Sequence, residues 1–316
     1  MHMYQTRSAV LFIVFNRPDT TARVFECIAE AKPARLYIAA DGPRADKERE
    51  RELCDDTRAI AQNVNWPCEV KTLYRDHNLG CKEAVSSAIT WFFEQEEEGI
   101  ILEDDCLPNN DFFRFTDEML ERYRFDERVR HIGGANLQFG KKWGDASYYF
   151  SNMTHVWGWA GWRRVWKHYD KELSRYEPEE VRSQFENIFE DTFIVDTWVD
   201  IFKQVKAGKI DTWDYQLGIM NFFNNSLSVI PNVNLITNIG FGVSSTHTHN
   251  AEDRNANVPA LPLGDIVHPK YMVPQKKADE ATLIYDFNVL ARRRRYNKPK
   301  RRFKRWVKNL FKKQAP

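Results

Sequence analysis

The sequence predicts an α/β fold with a mostly parallel central sheet flanked by helices. In the first third of the chain, short apolar runs alternate with longer amphipathic segments in the order β-α-β-α-β-α-β. Such alternation is typical of parallel strands joined by crossover helices, as in a doubly wound, Rossmann-like sheet. The 316 residues, 14% of them aromatic, are enough for one large domain or two closely packed halves.

The first strand is predicted at 10–15, where Val-Leu-Phe-Ile-Val-Phe is continuously apolar. Asp19 or Thr20 can cap the helix that follows. The next predicted elements are a strand at 36–40, a charged helix with Leu53 and Ile60 on its apolar side, a strand at 70–74, a helix at 82–95 and a strand at 100–102. The last of these strands runs directly into acidic residues.

Glu103, Asp104 and Asp105 follow the fourth strand without a break. Three adjacent carboxylates at the edge of a core repel one another, and a cation is the simplest means of keeping them ionised. Oxygen ligands of this kind favour Mg²⁺ or Mn²⁺, which also bridge the phosphates of nucleotides. The alternative is an acidic loop without a ligand.

Polar residues follow the other three strands as well. They are Asn16 and Arg17 after the first strand, Asp41 and Gly42 after the second, and Arg75, Asn78 and Gly80 after the third. Ligands of such sheets bind beyond the carboxyl ends of the strands, so the four strand ends predict a nucleotide site. The sequence has neither a Gly-x-Gly-x-x-Gly nor a Walker A pattern after its first strand, which disfavours a dinucleotide oxidoreductase and a P-loop enzyme.

These motifs resemble those of the GT-A glycosyltransferases, in particular the β-1,2-N-acetylglucosaminyltransferase I group and its bacterial relatives, the nucleotide-diphospho-sugar transferases. The resemblance covers residues 8–250. The motifs that carry it are Asn16-Arg17, Asp41-Gly42, Leu102-Glu103-Asp104-Asp105, Pro108 with Asp111-Phe112-Phe113, Gly134-Ala135-Asn136 and Trp157-Gly158-Trp159.

The resemblance implies a UDP-sugar donor, with N-acetylglucosamine as its sugar, and Mn²⁺ or Mg²⁺ as the cofactor. It implies that Asp105 is the direct metal ligand, that Asp104 holds the ribose and that Asp41 accepts the uracil imide N–H. Arg17 is expected near the base or its phosphates. The full set expected to bind the nucleotide-sugar is Asn16, Arg17, Asp41, Arg75, Asn78, Gly80, Lys82, Asp104, Asp105 and Asn136.

Four tryptophans fall within ten residues between Trp157 and Trp166, on the expected acceptor side. Trp157 and Trp159 straddle a glycine, which suits an aromatic platform under a sugar ring; a wall of the hydrophobic core is the alternative. Trp162 and Trp166 lie one helical turn apart and are expected in the core.

An inverting sugar transfer needs one carboxylate to accept the proton of the acceptor hydroxyl. The resemblance places this base in an acid-and-Trp motif after residues 157–159. Asp214 is the first candidate, Asp211 the second and Asp196 the third. Asp211 has an alternative role as the N-cap of the helix that Trp213 begins.

Two histidines, His247 and His249, lie on the same side of an extended segment. Many GT-A enzymes add a late histidine to the metal shell, so the resemblance makes His247 the candidate ligand and His249 a second one. The alternative is a loop that closes over the substrate without binding the metal.

The C-terminal segment 292–316 contains 13 of the 46 Lys and Arg residues and none of the 45 acids. Its apolar residues recur at helical spacing, at Phe303, Trp306, Val307, Leu310 and Phe311, which predicts a basic amphipathic helix. Such a helix suits an anionic membrane surface. A disordered tail and a nucleic-acid contact are the alternatives, although no specific nucleic acid is expected.

The predicted organisation is a nucleotide-sugar-binding half at 1–135, an acceptor-binding and catalytic half at 136–250, an irregular wrap or lid at 251–290 and the basic tail at 291–316. Apolar alternation returns inside the wrap at 283–290. The five cysteines form no Cys-x-x-Cys pair, and no apolar run reaches the ~18 residues of a membrane span. We therefore expect a cytoplasmic protein held at the inner face of the plasma membrane by its tail.

The sequence thus predicts a metal-dependent, inverting glycosyltransferase that moves a sugar from a UDP-sugar to a hydroxyl of a surface glycan or lipid-linked oligosaccharide. One alternative is a nucleotidyltransferase that makes the sugar nucleotide, which would normally carry a Gly-rich phosphate loop after its first strand. The other is a membrane-tethered glycan-binding module, which needs no metal motif.

Overall fold

The computed structural model describes residues 3–241 and 253–299. The strands of the central sheet are β1 (Val10–Val14), β2 (Arg35–Ala40), β3 (Glu69–Tyr74), β4 (Glu98–Glu103), β6 (Val129–Gly133), β7 (Tyr148–Ser151), β8 (Trp159–Trp162) and β9 (Leu227–Pro231). Within the described residues they are ordered β3-β2-β1-β4-β8-β6-β9-β7. The two short strands β5 (Cys106–Pro108) and β10 (Ile236–Asn238) form an antiparallel pair beside this sheet.

Helices cover the sheet and build a second layer beyond it. They are α1 (Pro18–Ala31), α2 (Glu50–Ala61), α3 (Cys81–Gln95), α4 (Asn110–Tyr123), α5 (Arg163–Trp166), α6 (Pro178–Ile188), α7 (Thr192–Lys206), α8 (Asp214–Phe223), α9 (Lys276–Asp286) and α10 (Val289–Tyr296). No helix in the described part of the chain is long and apolar enough to cross a membrane.

The first four strands confirm the predicted β-α-β-α-β-α-β order. All five residues of β1 are buried, and Val10 lies between Leu36 of β2 and Ile100 of β4 in parallel register. Burial on both faces is typical of a central strand among parallel neighbours, where helices cover both sides of the sheet. Because β1 to β4 are all parallel, their carboxyl ends meet at one edge of the sheet.

The remaining strands make the sheet mixed. Strand β8 runs antiparallel to both β4 and β6, β9 runs parallel to β6, and β7 is antiparallel to β9. The sheet is therefore continuous across the predicted division at 135/136. The two predicted halves thus share one set of strands. The division into four functional parts stays a prediction.

The described residues form two large apolar cores and a small third cluster of Tyr149, Ile230 and Ala278. The larger surrounds the sheet and includes Trp162 and Trp166, which confirms their predicted place in the core. The second lies among α6, α7 and α8, and the C-terminal helices contribute Leu283 and Val289 to it. The C-terminal helices are thus part of the folded body.

The apolar residues noted at 283–290 belong to the end of one helix, the start of the next and the turn between them. Residues 276–286 form α9, and its buried residues Ala278, Thr282 and Leu283 recur at helical spacing. Residues 253–275 are irregular, as predicted for the wrap, apart from one bridge between Phe150 and Pro274. The amphipathic helix predicted around 303–311 lies outside the described residues.

Asp117, a buried carboxylate of α4, holds the N-terminal segment against the sheet. It accepts hydrogen bonds from the hydroxyls of Tyr4 (2.9 Å) and Thr6 (3.1 Å) and from the backbone N–H groups of Arg7 (2.8 Å) and Ser8 (3.1 Å). Removing this acceptor would leave several partly or fully buried donors unpaired, which costs more than the bonds themselves contribute.

Asp279 in the first turn of α9 ties the C-terminal helices to strand β7. Its carboxylate accepts hydrogen bonds from Ser151 Oγ (2.5 Å) and from the backbone N–H of Asn152 (2.9 Å). Burial raises the pKa of Asp279 to about 6, although both hydrogen bonds act to lower it.

We expect the Asp117→Ala substitution to lower the free energy of unfolding by about 3 kcal/mol, because four donors lose their shared acceptor. Urea denaturation followed by far-UV circular dichroism measures this change. Glu121→Ala is the matched control, since it removes an exposed carboxylate from the same helix and should change stability by less than about 0.5 kcal/mol. Equal effects of the two substitutions would contradict the role given to Asp117.

We expect the stability difference between the natural protein and Asp279→Asn to depend on pH. The folded-state pKa of Asp279 is about 6, above the ordinary value of 3.8, so its contribution to stability is present at low pH and is lost as the pH rises through 6. Between pH 4.5 and 7.5 the natural protein should lose about 2 kcal/mol relative to the variant. Urea denaturation of both proteins at the two pH values tests this, because other carboxylates titrate alike in both. A constant difference would contradict it.

Candidate active site

A cavity of about 670 Å³ opens where the carboxyl ends of β1 to β4 meet. We call it the strand-end cavity. Its polar lining comes from all four strand ends, from the start of α8 with the segment before it, and from the end of β10, and consists of Arg17, Asp41, Arg44, Arg75, Asn78, Glu103, Asp104, Asp105, Asp211, Thr212, Asp214 and Asn238. The prediction that the four strand ends converge is therefore confirmed as a matter of geometry.

Arg17 provides positive charge to the acidic residues that follow β4. Its Nη1 donates to Asp105 Oδ2 at 2.9 Å, its Nε lies 3.4 Å from Asp104 Oδ2, and its Nη2 donates to Asp104 Oδ1. Burial acts to lower the pKa of the Arg17 guanidinium, but the two carboxylates raise that pKa by more, so the guanidinium stays charged. The sequence assigned Arg17 to the nucleotide and the neutralising charge to a metal; in the structure, an arginine already supplies part of that charge.

The first two acids of the cluster are harder to ionise than ordinary carboxylates. Burial raises the pKa of Glu103, and the nearby charges of Asp105 and Asp104 raise it further. Burial also raises the pKa of Asp104, against the opposing effect of Arg17. Asp104 is only 2% exposed, so a ribose at this carboxylate would have to share it with Arg17.

Asp105 is the residue of this cluster that best fits a metal. It lines the cavity, and only its Oδ2 is bound by Arg17, while Oδ1 lies 3.4 Å from the Cys106 thiol. Magnesium is commonly held by one or two carboxylates, with phosphates and water completing the shell. Among the described residues no group of three His, Cys, Asp or Glu side chains is arranged to hold a metal, and His247 and His249 lie outside those residues.

Asp41 organises the loops after β2 and β3. Its Oδ1 accepts from the N–H groups of Gly42 (2.8 Å) and Leu79 (3.0 Å), and its Oδ2 accepts from Asn78 Nδ2 (2.8 Å). Burial raises the pKa of Asp41 in spite of these bonds. A side chain at position 42 would collide with the backbone of His77, with 2.4 Å between the added Cβ and the backbone nitrogen, so glycine is required there.

The remaining residues predicted to bind the nucleotide-sugar fall into two groups. Arg75 and Gly80 line the strand-end cavity, with Arg75 Nη2 donating to Ser87 Oγ at 3.1 Å. Asn16, Lys82 and Asn136 are absent from its lining. Their side chains donate to Glu50 (2.9 Å), Glu172 (2.9 Å) and the Pro231 carbonyl (2.5 Å), respectively, so the structure places them in supporting contacts.

Asp211 caps a helix, but a different one from the helix expected. Its Oδ2 accepts from the N–H of Cys81 and its Oδ1 from the N–H of Lys82, both at 3.0 Å, at the start of α3. The predicted alternative, a cap on the helix after Trp213, is therefore wrong. With both oxygens committed to free N–H groups of a helix terminus, Asp211 is poorly placed to accept a substrate proton.

A second, larger cavity of about 1,110 Å³ lies among α7, α8 and α9. We call it the helical cavity. Much of its lining is aromatic or aliphatic, and its polar groups include Thr154, His155, Asp253, Arg254, Asn255 and Asp286. Burial lowers the pKa of His155 to about 4, so this imidazole is neutral near pH 7.

Asp214 lies where the two cavities meet. Val156, Trp157, Asp214 and Tyr215 line both of them. Asp214 Oδ1 accepts from Thr212 Oγ1 and from the Tyr215 N–H (2.9 Å), and within the described residues no group donates to Oδ2. One oxygen of a fixed carboxylate is thus available at the junction.

The two tryptophans of the Trp-Gly-Trp motif have different places. Trp157 lines both cavities, with its ring 5.7 Å from that of Phe241. Trp159 is 3% exposed and stacks on His131 and Trp213, so the expectation of an acceptor contact is wrong for this residue. Residues two apart in an extended strand lie on the same side, so spacing alone places both rings together. Gly158, with a φ of 57°, interrupts the extended backbone between them, and the two rings have different environments.

Other functional expectations are decided by contacts distant in sequence. Asp196, the third candidate base, is exposed and pairs with Arg182, outside both cavities.

The sequence did not point to Arg58, whose Nη2 donates to the carbonyls of Asp41 (3.2 Å) and Arg75 (2.7 Å) and so joins two strand ends. It also missed Arg44, which lines the strand-end cavity while paired with the buried Glu50. No local pattern marks these residues, since both lie in charged stretches.

No model of a known protein family and no curated protein matches the chain. The solved structures that resemble it include UDP-glucose pyrophosphorylase complexed with UDP-glucose, at 8% sequence identity and a TM-score of 0.37, over 72% of this chain and 90% of that chain. They also include HddC from Yersinia pseudotuberculosis, at 12% identity and a TM-score of 0.33, over 52% of this chain and 81% of that one. A cytidylyltransferase from Leptospira borgpetersenii matches at 10% identity and a TM-score of 0.31, over 55% and 67% of the two chains. Structural similarity at these TM-scores carries no information about the function of this chain.

Proposed function

We propose that the protein is a metal-dependent, inverting glycosyltransferase that moves a sugar from a UDP-sugar to a hydroxyl of a glycan. The observation that carries this proposal is the position of Asp214, which lines both the strand-end cavity and the helical cavity. A transfer between two substrates needs two adjoining sites with a proton acceptor between them. The two cavities and this carboxylate meet that need.

The strand-end cavity is the proposed donor site. Its volume of about 670 Å³ falls within the usual range for small-ligand sites. Asp105 would hold Mg²⁺ or Mn²⁺ together with the diphosphate, and the bound metal would neutralise charge on the leaving UDP. Arg17 keeps Asp105 oriented, and the loops fixed by Asp41 would enclose the uracil and ribose.

The helical cavity is the proposed acceptor site. Asp214 would accept the proton of the acceptor hydroxyl as its oxygen forms a bond to the anomeric carbon of the donor sugar, and the bond from that carbon to the diphosphate oxygen breaks, releasing UDP. Attack from the side opposite UDP inverts the anomeric configuration. Trp157, which faces both cavities, would pack against the sugar near the reacting carbon.

We further propose that the glycosyltransferase works at the inner surface of the plasma membrane. The basic segment 292–316 would contact anionic lipid, and the acceptor would be a surface glycan or a lipid-linked oligosaccharide. Most of this segment lies outside the described residues, so the proposal rests on its sequence.

A nucleotidyltransferase, the class of the cytidylyltransferase named above, is the second candidate. It would use the same cavity for a nucleoside triphosphate and a sugar phosphate. Helix α1 begins at Pro18, directly after Asn16 and Arg17, where a Gly-rich phosphate loop would be needed. Release of pyrophosphate from UTP and a sugar 1-phosphate would favour this candidate, and a glycan-binding module would show neither activity.

We expect UDP to bind the full chain only in the presence of Mn²⁺ or Mg²⁺, and Asp105→Asn to weaken that binding about 100-fold, or about 2.7 kcal/mol. The asparagine side chain has nearly the same shape as aspartate, and its amide oxygen can still accept the hydrogen bond from Arg17. It lacks the negative charge that would bind the metal. Isothermal titration calorimetry with UDP, with and without Mn²⁺, measures this. Asp76→Asn is the control, because Asp76 is exposed at the same edge but does not line the cavity. If UDP binds under none of these conditions, the proposal is wrong.

We expect Asp214→Asn to lower the rate of UDP release from a UDP-sugar by about 10² to 10⁴, because the general base is lost. UDP affinity should change far less than the rate, since Asp214 makes no hydrogen bond to Glu103, Asp104 or Asp105. Hydrolysis of a panel of UDP-sugars, with water as the acceptor, gives the rate without knowledge of the natural acceptor. Asp196→Asn makes the same charge change outside both cavities and should keep full activity. Full activity in Asp214→Asn would rule out this residue as the base.

A further inference from the structure

We propose that the acceptor is a glycan linked to a phosphate group, and that Arg294 binds this phosphate at the mouth of the helical cavity. The inference rests on the proposed function, because it takes the helical cavity as the acceptor site. It adds the chemical class of the acceptor and the residue that recognises it.

The C-terminal helices form one wall of the helical cavity. Residues 283–288 of α9 and the following turn line it, as does Leu290 in the first turn of α10. Phe287 packs on Trp198 with 5.5 Å between the ring centroids, so this wall is joined to α7. The cavity therefore ends where the arginine-rich helix α10 begins.

Two of the four consecutive arginines of α10 anchor it to α7. Arg292 Nη1 donates to the Phe193 carbonyl at 3.2 Å and to Thr197 Oγ1, and Thr197 itself lines the helical cavity. Arg293 forms an ion pair with Asp191, whose side chain is only 5% exposed. These contacts fix the rotation of α10 about its axis.

That rotation decides which of the other two arginines faces the cavity. Leu290 and Arg294 are four residues apart, so they lie on the same face of the helix, one turn from each other. Leu290 lines the cavity and is 53% exposed, which places it at the rim. Arg294 therefore lies one turn beyond this rim on the face of α10 that carries Leu290, whereas Arg295 is about 100° further round the helix, on the side away from Leu290.

Arg294 is available to bind an anion. It is exposed, and within the described residues no carboxylate lies within ion-pair distance of it, in contrast to Arg293. A guanidinium can donate two parallel hydrogen bonds to a phosphate. An anion at this position would extend from a ligand that fills the cavity.

The lining of the cavity suits the glycan part of such a ligand. Aromatic side chains provide stacking surfaces, and Asp253 and Asp286 can accept hydrogen bonds from hydroxyl groups. The Arg254 guanidinium lies over the rings of Phe139 and Tyr285, at 3.4 and 4.2 Å from their centroids. Because Asp214, Asp253 and Asp286 outnumber Arg254 in the lining, a phosphate inside the cavity would meet net negative charge, so the anionic end of the ligand belongs at the rim, near Arg294.

The test uses the full chain with UDP and Mn²⁺ at concentrations that saturate the strand-end cavity, so that only the second cavity is free. Glucose, galactose, mannose and N-acetylglucosamine are each titrated as the free sugar and as the 1-phosphate. We expect at least one 1-phosphate to bind about tenfold more tightly than its free sugar, or about 1.4 kcal/mol. Arg294→Gln should abolish this preference, and Arg295→Gln, with the same charge change on the other face of α10, should keep it.

A lipid arm distinguishes the two sources of such a phosphate. The best of these sugars is presented as its farnesyl diphosphate conjugate in phosphatidylcholine vesicles. Tighter binding than the soluble 1-phosphate identifies a lipid-linked acceptor, and equal binding identifies a soluble glycosyl phosphate; either result supports the phosphate contact if Arg294→Gln weakens it.

Equal binding of sugar and sugar phosphate throughout the panel would overturn the inference, as would equal losses in the Arg294 and Arg295 variants. In both of these cases UDP still binds and the proposed function stands. Absence of UDP binding would instead overturn the proposed function itself, so the two failures are distinguishable.

Discussion

Three carboxylates in a row at the end of a buried strand are stable only if positive charge reaches them, and Arg17 brings that charge. The contact exists because β1 and β4 are parallel neighbours with Ile13 opposite Glu103, so that the residues just past both strands meet. A shift of one residue in this register would turn the side chains to the opposite face. The pairing of Arg17 with Asp104 and Asp105 therefore depends on the core of the sheet, and the strand-end cavity depends on that pairing.

The acidic residues that line the strand-end cavity have different structural roles. Asp41 and Asp211 satisfy backbone N–H groups at a loop and at a helix terminus, which would otherwise be left without partners. Asp104 is paired with Arg17. These contacts hold the surrounding loops in place and leave Asp214 Oδ2 without a donor among the described residues, whereas Asp105 is bound by Arg17 at Oδ2 and only by the weakly donating Cys106 thiol at Oδ1. Such division of roles is how a polar site can be rigid before a ligand arrives.

The second core explains how the acceptor side is built. Helices α6 and α7 pack around their own apolar cluster, to which α8, α9 and α10 contribute, and α8 also places Leu217 and Met220 in the core of the sheet. Asp211 then connects the segment before α8 to the start of α3 on the sheet side. This link sets Asp214 at the junction of the two cavities. The C-terminal helices are thus structural for the helical cavity as well as a source of basic charge at its rim.

The sequence by itself determined the parallel β-α order of the first third, the convergence of four polar strand ends and the burial of Trp162 and Trp166, because hydrophobic periodicity and strand-end polarity are local signals. It predicted an irregular wrap at 251–290 and missed the helix α9 within it, and it could not tell that Trp159 belongs to the core while Trp157 faces the cavities. It also could not assign Arg17 to the acidic cluster or Asp211 to α3, whose partners lie 87 and 130 residues away in the chain. Only the tertiary structure decided these points, since a side chain's role follows from which distant backbone and charged groups the fold brings within hydrogen-bond distance.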